Sequence, residues 1–133
     1  MAEPSRGLLD TSVLVDQDRV DAGRLPDESA IAAVSLAELA AGPHATGEAE
    51  ERARRQDRLQ WAAATWDALP FDEAAARSYG RIFAATRAAG RPGRARLADL
   101  LIAATALSNG LPLYTRNAKH FAGLERLVRV VPV

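Results

Sequence analysis

Three acidic residues, Asp10, Glu38 and Asp99, each stand beside a stretch of apolar side chains of the kind that builds strands and helices. Asp10 follows the apolar run at 7–9 and Asp99 opens a strongly apolar segment. Glu38 lies one helical turn past another run, at 30–34. Hydroxyl and amide side chains accompany them: Thr11 and Ser12 directly after Asp10, and Thr115 and Asn117 after a later apolar run. If the chain brings these carboxylates together, like-charge repulsion and loss of water raise their pKa values, and a divalent cation is the simplest compensation. Cysteine is absent and the two histidines, His44 and His120, have no metal-binding spacing. A set of hard oxygen donors suits magnesium, with manganese able to replace it, rather than zinc. Each acid also has a plainer reading when taken singly. Glu38 can complete a capping box with Ser35, Asp99 can complement a helix dipole, and Asp10 can cap the short helix after it.

The elements that would position these groups alternate between strand and helix, which indicates an α/β fold. Residues 7–9 read as a strand delivering Asp10 at its carboxyl end, and the apolar run at 13–15 begins a short helix. Residues 30–34 read as a buried strand, after which Ser35 opens a helix as its N-cap and Gly42-Pro43 stops it. From residue 48 to about 69 the pattern is helical, with Leu59, Ala62, Ala63 and Trp66 on its apolar part. Trp61 and Trp66 are expected to pack in a core or a dimer seam. Asp72 caps a further helix whose stripe is Ala76, Tyr79, Ile82, Phe83 and Thr86, ended by Gly90-Arg91-Pro92-Gly93. The helix from about 95 to 109 places Leu97, Leu100, Leu101, Ala104 and Leu107 on one face and stops at Asn109-Gly110. Residues 111–115 and 128–131 supply two more strands, with a short helical stretch between them. Such connections favour a central, mainly parallel twisted sheet of about four to five strands with helices on both faces. Ligand sites in open sheets of this kind lie at the carboxyl ends of the strands, where the acids are expected.

Length and composition are consistent with one domain spanning residues 1–133: 48% of the residues are hydrophobic and 26% charged, enough for a core and for solubility. The absence of cysteine excludes disulfides and thiolate chemistry and fits a reducing, cytoplasmic setting. No apolar run approaches the roughly 18 residues of a membrane span. Glu3 and Arg6 interrupt any signal-like start, so neither membrane insertion nor export is expected. The net charge of zero hides a polarity: residues 1–50 hold ten acids and three bases, residues 51–133 fourteen bases and seven acids. Arginine, sixteen of the seventeen bases, presents a planar fork matched to phosphate, although a GC-rich genome explains its abundance as readily. Asp16 and Asp18 read as solvated acids, His44 as a surface residue, and Arg52, Arg54, Arg55 and Arg58 as a solvated helix face. Arg91, Arg94 and Arg96, which precede Asp99, and Arg116 are the better candidates for nucleic-acid contact.

Four segments together resemble the PIN domains, and within them the VapC toxins of bacterial toxin–antitoxin pairs. They are Leu-Leu-Asp-Thr-Ser-Val-Leu at 8–14, Val-Ser-Leu-Ala-Glu-Leu at 34–39, Ala-Asp-Leu-Leu-Ile-Ala-Ala-Thr-Ala at 98–106 and Tyr-Thr-Arg-Asn-Ala-Lys-His-Phe at 114–121. Any one is common; four in order span the chain. The resemblance implies a magnesium-dependent endoribonuclease with Asp10, Glu38 and Asp99 as catalytic metal ligands. Thr11 or Ser12 would be the hydroxyl beside the first acid, and Thr115 and Asn117 supporting residues. It also implies a homodimer, an RNA substrate, products with 5′-phosphate and 3′-hydroxyl ends, and a small VapB-like antitoxin as partner. Where many members carry a fourth acid this chain has His120, which can ligate a metal or touch a phosphate but cannot supply the same negative charge. The number of ions held, one or two, is therefore open. The alternative is a PIN-like protein-binding module with weakened catalysis. A phosphoacceptor domain, which also gathers acids at strand ends, lacks its adjacent acidic pair here, and the only lysine is Lys119.

Overall fold

Strand β1, Arg6–Leu9, sits at the centre of the sheet because both of its faces are apolar: Leu8 and Leu9 are fully buried on opposite sides. The computed structural model describes residues 3–90 and 96–133. Beside β1 lie β2 (Glu28–Ala32) and β4 (Leu113–Thr115), flanked by β3 (Ala68–Leu69) and β5 (Val130–Pro132), giving the order β3-β2-β1-β4-β5. All four pairings are parallel, so every strand ends at the same edge. Alternation along the strands sorts the side chains between two cores. Leu8, Ala32 and Leu113 meet α4 (Glu73–Ala88) and α5 (Leu97–Ser108), whereas Leu9, Ile31 and Tyr114 meet α1 (Thr11–Val15), α2 (Ala33–Ala41) and α3 (Ala49–Thr65). Each fully buried Leu or Ile contributes about 1.5–3 kcal/mol, and a register slip of one residue would exchange the two faces. Gly7 is required in β1 because a Cβ there would lie 2.4 Å from Cε1 of the Tyr114 ring.

The expected α/β architecture is present, with several local differences. β2 begins and ends two residues before the expected strand, and Ala32 rather than Ser35 is the residue before α2. Alanine continues readily into a helix, so Ser35 falls inside the first turn, buried, and Glu38 is not part of a capping box. The helix expected to reach residue 69 ends at Thr65, and Ala68–Leu69 is a strand: too short to show a period, it exists through pairing with β2. On α4 the buried residues are Ala75, Ile82 and Thr86; Ala76 and Phe83 face outward. α5 is buried nearly all round because it lies against both α4 and the sheet, while Leu97 at its start is 61% exposed. Asp72 caps α4 as expected, accepting from the Ala75 N–H at 2.9 Å, and Gly110, at φ +64, ends the turn after α5. Trp61 and Trp66 meet edge to face, centroids 5.1 Å apart, against the α1–α3 core. No helix among the described residues is long and apolar enough to cross a membrane.

Candidate functional site

At the carboxyl edge of the sheet Asp10, Glu38 and Asp99 border one pocket of about 450 Å³, with Thr11, Ser12, Asn117 and His120 beside them. Three separate segments supply the acids. Asp10 is the residue between β1 and α1, its N–H donating to the Tyr114 carbonyl at 2.8 Å so that the strand ladder continues up to the site. Glu38 projects from the middle of α2, which follows β2 without a loop, and Asp99 lies in the first turn of α5.

The Asp10 carboxylate is fixed by hydroxyls. Its Oδ2 accepts from Ser12 Oγ at 2.7 Å and from Thr115 Oγ1 at 2.8 Å. These hydroxyls are in turn held by the Arg116 N–H, which donates to Ser12 Oγ at 3.0 Å, and the Asn117 N–H, which donates to Thr115 Oγ1 at 2.9 Å. Thr115 is wholly buried behind Asp10 and does not line the pocket. On the α2 side, Thr11 Oγ1 donates to Glu38 Oε1 at 2.6 Å and lies 2.9 Å from Ser35 Oγ. The buried Ser35 thus backs the group that orients Glu38, and does not cap its helix.

Asp99 is held differently. Its Oδ2 is buried without a hydrogen-bond partner among the described residues, although His120 Nδ1 stands 3.4 Å away. Burial raises the Asp99 carboxyl above its ordinary range and the Asp10 charge adds to the rise, with a smaller push from Glu38; His120 and Arg96 oppose it. Arg96, mostly exposed, reaches Glu38 Oε2 at 3.7 Å.

These residues fit a hard divalent cation by their chemistry: carboxylate and hydroxyl oxygens without sulfur, and one buried acceptor that no donor among the described residues satisfies. The cage is not closed, since among the described residues no three His, Asp or Glu side chains stand together as a ready ligand group. Asp10 and Glu38 turn instead to the hydroxyls of Ser12, Thr115 and Thr11.

The expected nucleic-acid arginines separate. Arg91 and Arg94 lie outside the described residues, Arg96 borders the pocket, and Arg116 does not. Arg116 pairs with Asp16 at 3.7 Å and donates to the Arg19 carbonyl at 3.4 Å. The helix-face reading of α3 holds for Arg52 and Arg54, which are exposed, whereas Arg55 and Arg58 are half-buried and line the pocket together with Glu51. Asp16 lines it too, while Asp18 and His44 are exposed. The spacing of Glu51, Arg55 and Arg58 marks one helix face; nothing in the sequence says that this face looks onto residues more than forty positions away.

The PIN domain profile matches residues 7–127. The chain is 38% identical over 125 residues to Ribonuclease VapC5 of Mycobacterium tuberculosis, covering 92% of this chain and 90% of that protein. It is 41% identical over 101 residues to Ribonuclease VapC8 of the same species, covering 75% and 89%. A crystal structure of a member of the VapBC family of toxin–antitoxin systems, VapBC-5 from Mycobacterium tuberculosis, superposes with a TM-score of 0.87 at 38% identity, over 98% of this chain and 100% of that one. With the profile running through every element that carries an acid of the pocket, the chain belongs to the PIN-domain family, in its VapC branch.

Proposed function

We propose that this protein is a magnesium-dependent endoribonuclease and the toxin of a toxin–antitoxin pair. The observation that carries the reading is the convergence of Asp10, Glu38 and Asp99 on one pocket. It is supported by relatives named ribonucleases that cover most of the chain. Asp10, Glu38 and Asp99 would hold the ion, and manganese would replace magnesium. When bound, the divalent cation supplies activation of water and neutralisation of charge at the scissile phosphate. The protein's own part is positioning. Ser12 and Thr115 donate both hydroxyl protons to Asp10 Oδ2, which keeps that carboxylate aimed. Thr11 does the same for Glu38. His120, within 3.4 Å of Asp99, stands beside the pocket where it can donate to a phosphate oxygen.

Hydrolysis in this site would leave 5′-phosphate and 3′-hydroxyl ends. Purified protein incubated with magnesium and either transfer or ribosomal RNA should cut at defined positions, and Asp10→Asn or Asp99→Asn should each abolish cutting. Cleavage retained in both variants would reject the assignment. The solved relative belongs to a toxin–antitoxin system, which supports a small VapB-like antitoxin as partner here; a homodimer is the expected toxin assembly. Co-expression with the adjacent short reading frame and size analysis of the purified complex tests both.

A second reading, a binding module with weakened turnover, draws on the open ligand cage and on His120 at the fourth position. His120→Asp discriminates: magnesium-dependent cutting that appears only in this variant favours the module, whereas wild-type cutting favours the nuclease.

A further inference from the structure

Three guanidiniums among the described residues border the acid pocket, and they are not equivalent. Arg55 on α3 is committed: its Nε lies 3.1 Å from Glu51 Oε1 and its Nη1 donates to the Gly42 carbonyl at 2.8 Å, pinning α3 to the turn after α2. Arg96 leans on Glu38. Arg58, nearly one turn beyond Arg55 on the same face of α3, is half-buried and makes no hydrogen bond, ion pair or ring contact with any described residue. None of its nitrogens is shut away from water without a partner, and the fork, five donors in one plane, is open to an acceptor that arrives from outside.

The charges around the pocket indicate what that acceptor is. Among the described residues five carboxylates, Asp10, Asp16, Glu38, Glu51 and Asp99, face three guanidiniums, so with all five ionised one divalent cation would balance these charges. An entering anion then gains only where a cation is uncommitted, and Arg58 is the group that meets this condition on the α3 wall. Resting on the ribonuclease reading above, we propose that Arg58 is an RNA-binding residue of this site, its fork gripping the non-bridging oxygens of a backbone phosphate at or next to the scissile one. Contacts of this kind set register and affinity without reading bases.

The test uses two fluorescein-labelled RNA oligonucleotides of unrelated sequence, titrated with the full-length protein and its variants by anisotropy across a salt series, with cleavage of bulk transfer RNA measured in parallel. Arg58→Ala should weaken binding of both oligonucleotides by roughly tenfold and lower the salt slope by about 1. It should raise KM for cleavage more than it lowers kcat. Arg58→Lys should restore the slope but only part of the affinity, because the charge returns without the fork. Arg77→Ala, which removes an equal charge from the exposed face of α4 where Arg77 pairs with Glu73, should leave slope and KM unchanged. If Arg58→Ala fails to fold, Arg58→Lys carries the test through its intermediate affinity. Wild-type cleavage with Arg58→Ala indistinguishable from Arg77→Ala overturns this inference alone. So does unchanged RNA binding with weakened capture of the antitoxin, which would assign Arg58 to the protein partner. A wild-type protein that neither binds nor cuts RNA removes the ribonuclease reading and this one with it.

Discussion

Asp10 and Asp99 border the same pocket, yet the two sides of it are built on different principles. On the β1–β4 side Asp10 Oδ2 receives two short hydroxyl hydrogen bonds, and the hydroxyls are themselves held by backbone N–H groups. On the α5 side Asp99 Oδ2 has no hydrogen-bond donor among the described residues, and its close neighbour is a histidine at 3.4 Å. The first side is a finished polar network that pre-sets a carboxylate at little cost. The second is an unsatisfied acceptor that burial and the Asp10 charge make expensive to ionise. For the proposed cation this asymmetry would be useful: the ordered side would fix a ligand in advance, and the strained side would be relieved by the ion's charge.

The largest consequence concerns turnover. Asp10→Asn and Asp99→Asn should each reduce RNA cleavage by roughly a thousandfold or more, since each removes a charge from the proposed cation site. Single-turnover cleavage in saturating magnesium measures this. Their effects on stability should be opposite. Without added divalent ion at neutral pH, Asp99→Asn should stabilise the fold, because it removes a buried charge beside Asp10, and Asp10→Asn should destabilise it. Thermal melts of the two variants side by side report the sign. The Asp99 gain should also depend on pH. The folded-state pKa of Asp99 lies above its unfolded value, so the ionised group costs stability fully above the folded pKa. That cost fades as pH falls through the raised pKa towards the ordinary 3.8. Melts of wild type and Asp99→Asn should therefore converge in acid, and a constant difference would reject burial of the charge as the cause.

A smaller effect separates the hydroxyl scaffold from the acids it serves. Thr115→Val keeps the shape of a fully buried side chain but removes one donor from Asp10 Oδ2 and the acceptor of the Asn117 N–H. A cost of about 1–2 kcal/mol is expected, with cleavage lowered far less than by Asp10→Asn and restored in Thr115→Ser. If Thr115→Val cut as poorly as Asp10→Asn, Thr115 would be contributing more than orientation.

The acids and the hydroxyls beside Asp10 are legible in the sequence, the asymmetry between Asp10 and Asp99 is not, and the unread part has identifiable physical causes. Asp10, Thr11, Ser12 and Thr115 follow directly from strands whose apolar runs are unmistakable, and strand ends in a parallel sheet share an edge. The fold class follows from the same alternation. Ser35 was misread because an N-cap and a buried first-turn serine share one sequence signature; where β2 stops decides between them, and pairing with β1 and β3 sets that point. The two-residue β3 has no periodicity of its own. Leu97 and Phe83 belong to apolar patterns that tertiary packing leaves outside. Arg58, which the sequence reads as part of a solvated helix face, is the instructive case. The face it shares with Glu51 and Arg55 can be drawn from helical spacing, but only the docking of α3 beside α2, with Arg52 and Arg55 holding the Pro43 and Gly42 carbonyls, turns that face towards the acids.

Arg96 offers the mildest and most selective probe of the loosely held side. Its side chain is 67% exposed and its guanidinium stands 3.7 Å from Glu38 Oε2, so the pair is screened by solvent and should contribute little to folding. Its position beside the acids matters more, because a nearby positive charge competes with a cation for the same carboxylates. Arg96→Ala should leave the melting temperature essentially unchanged while tightening manganese binding by a few-fold, an effect that weakens as salt rises. Calorimetric titration of manganese into both proteins at low and moderate salt reads it. An unchanged manganese affinity would mean that Glu38 is oriented by Thr11 alone. A weaker one would mean that Arg96 holds Glu38 in the geometry the ion needs, and the α2 side would then belong with the pre-set half of the pocket.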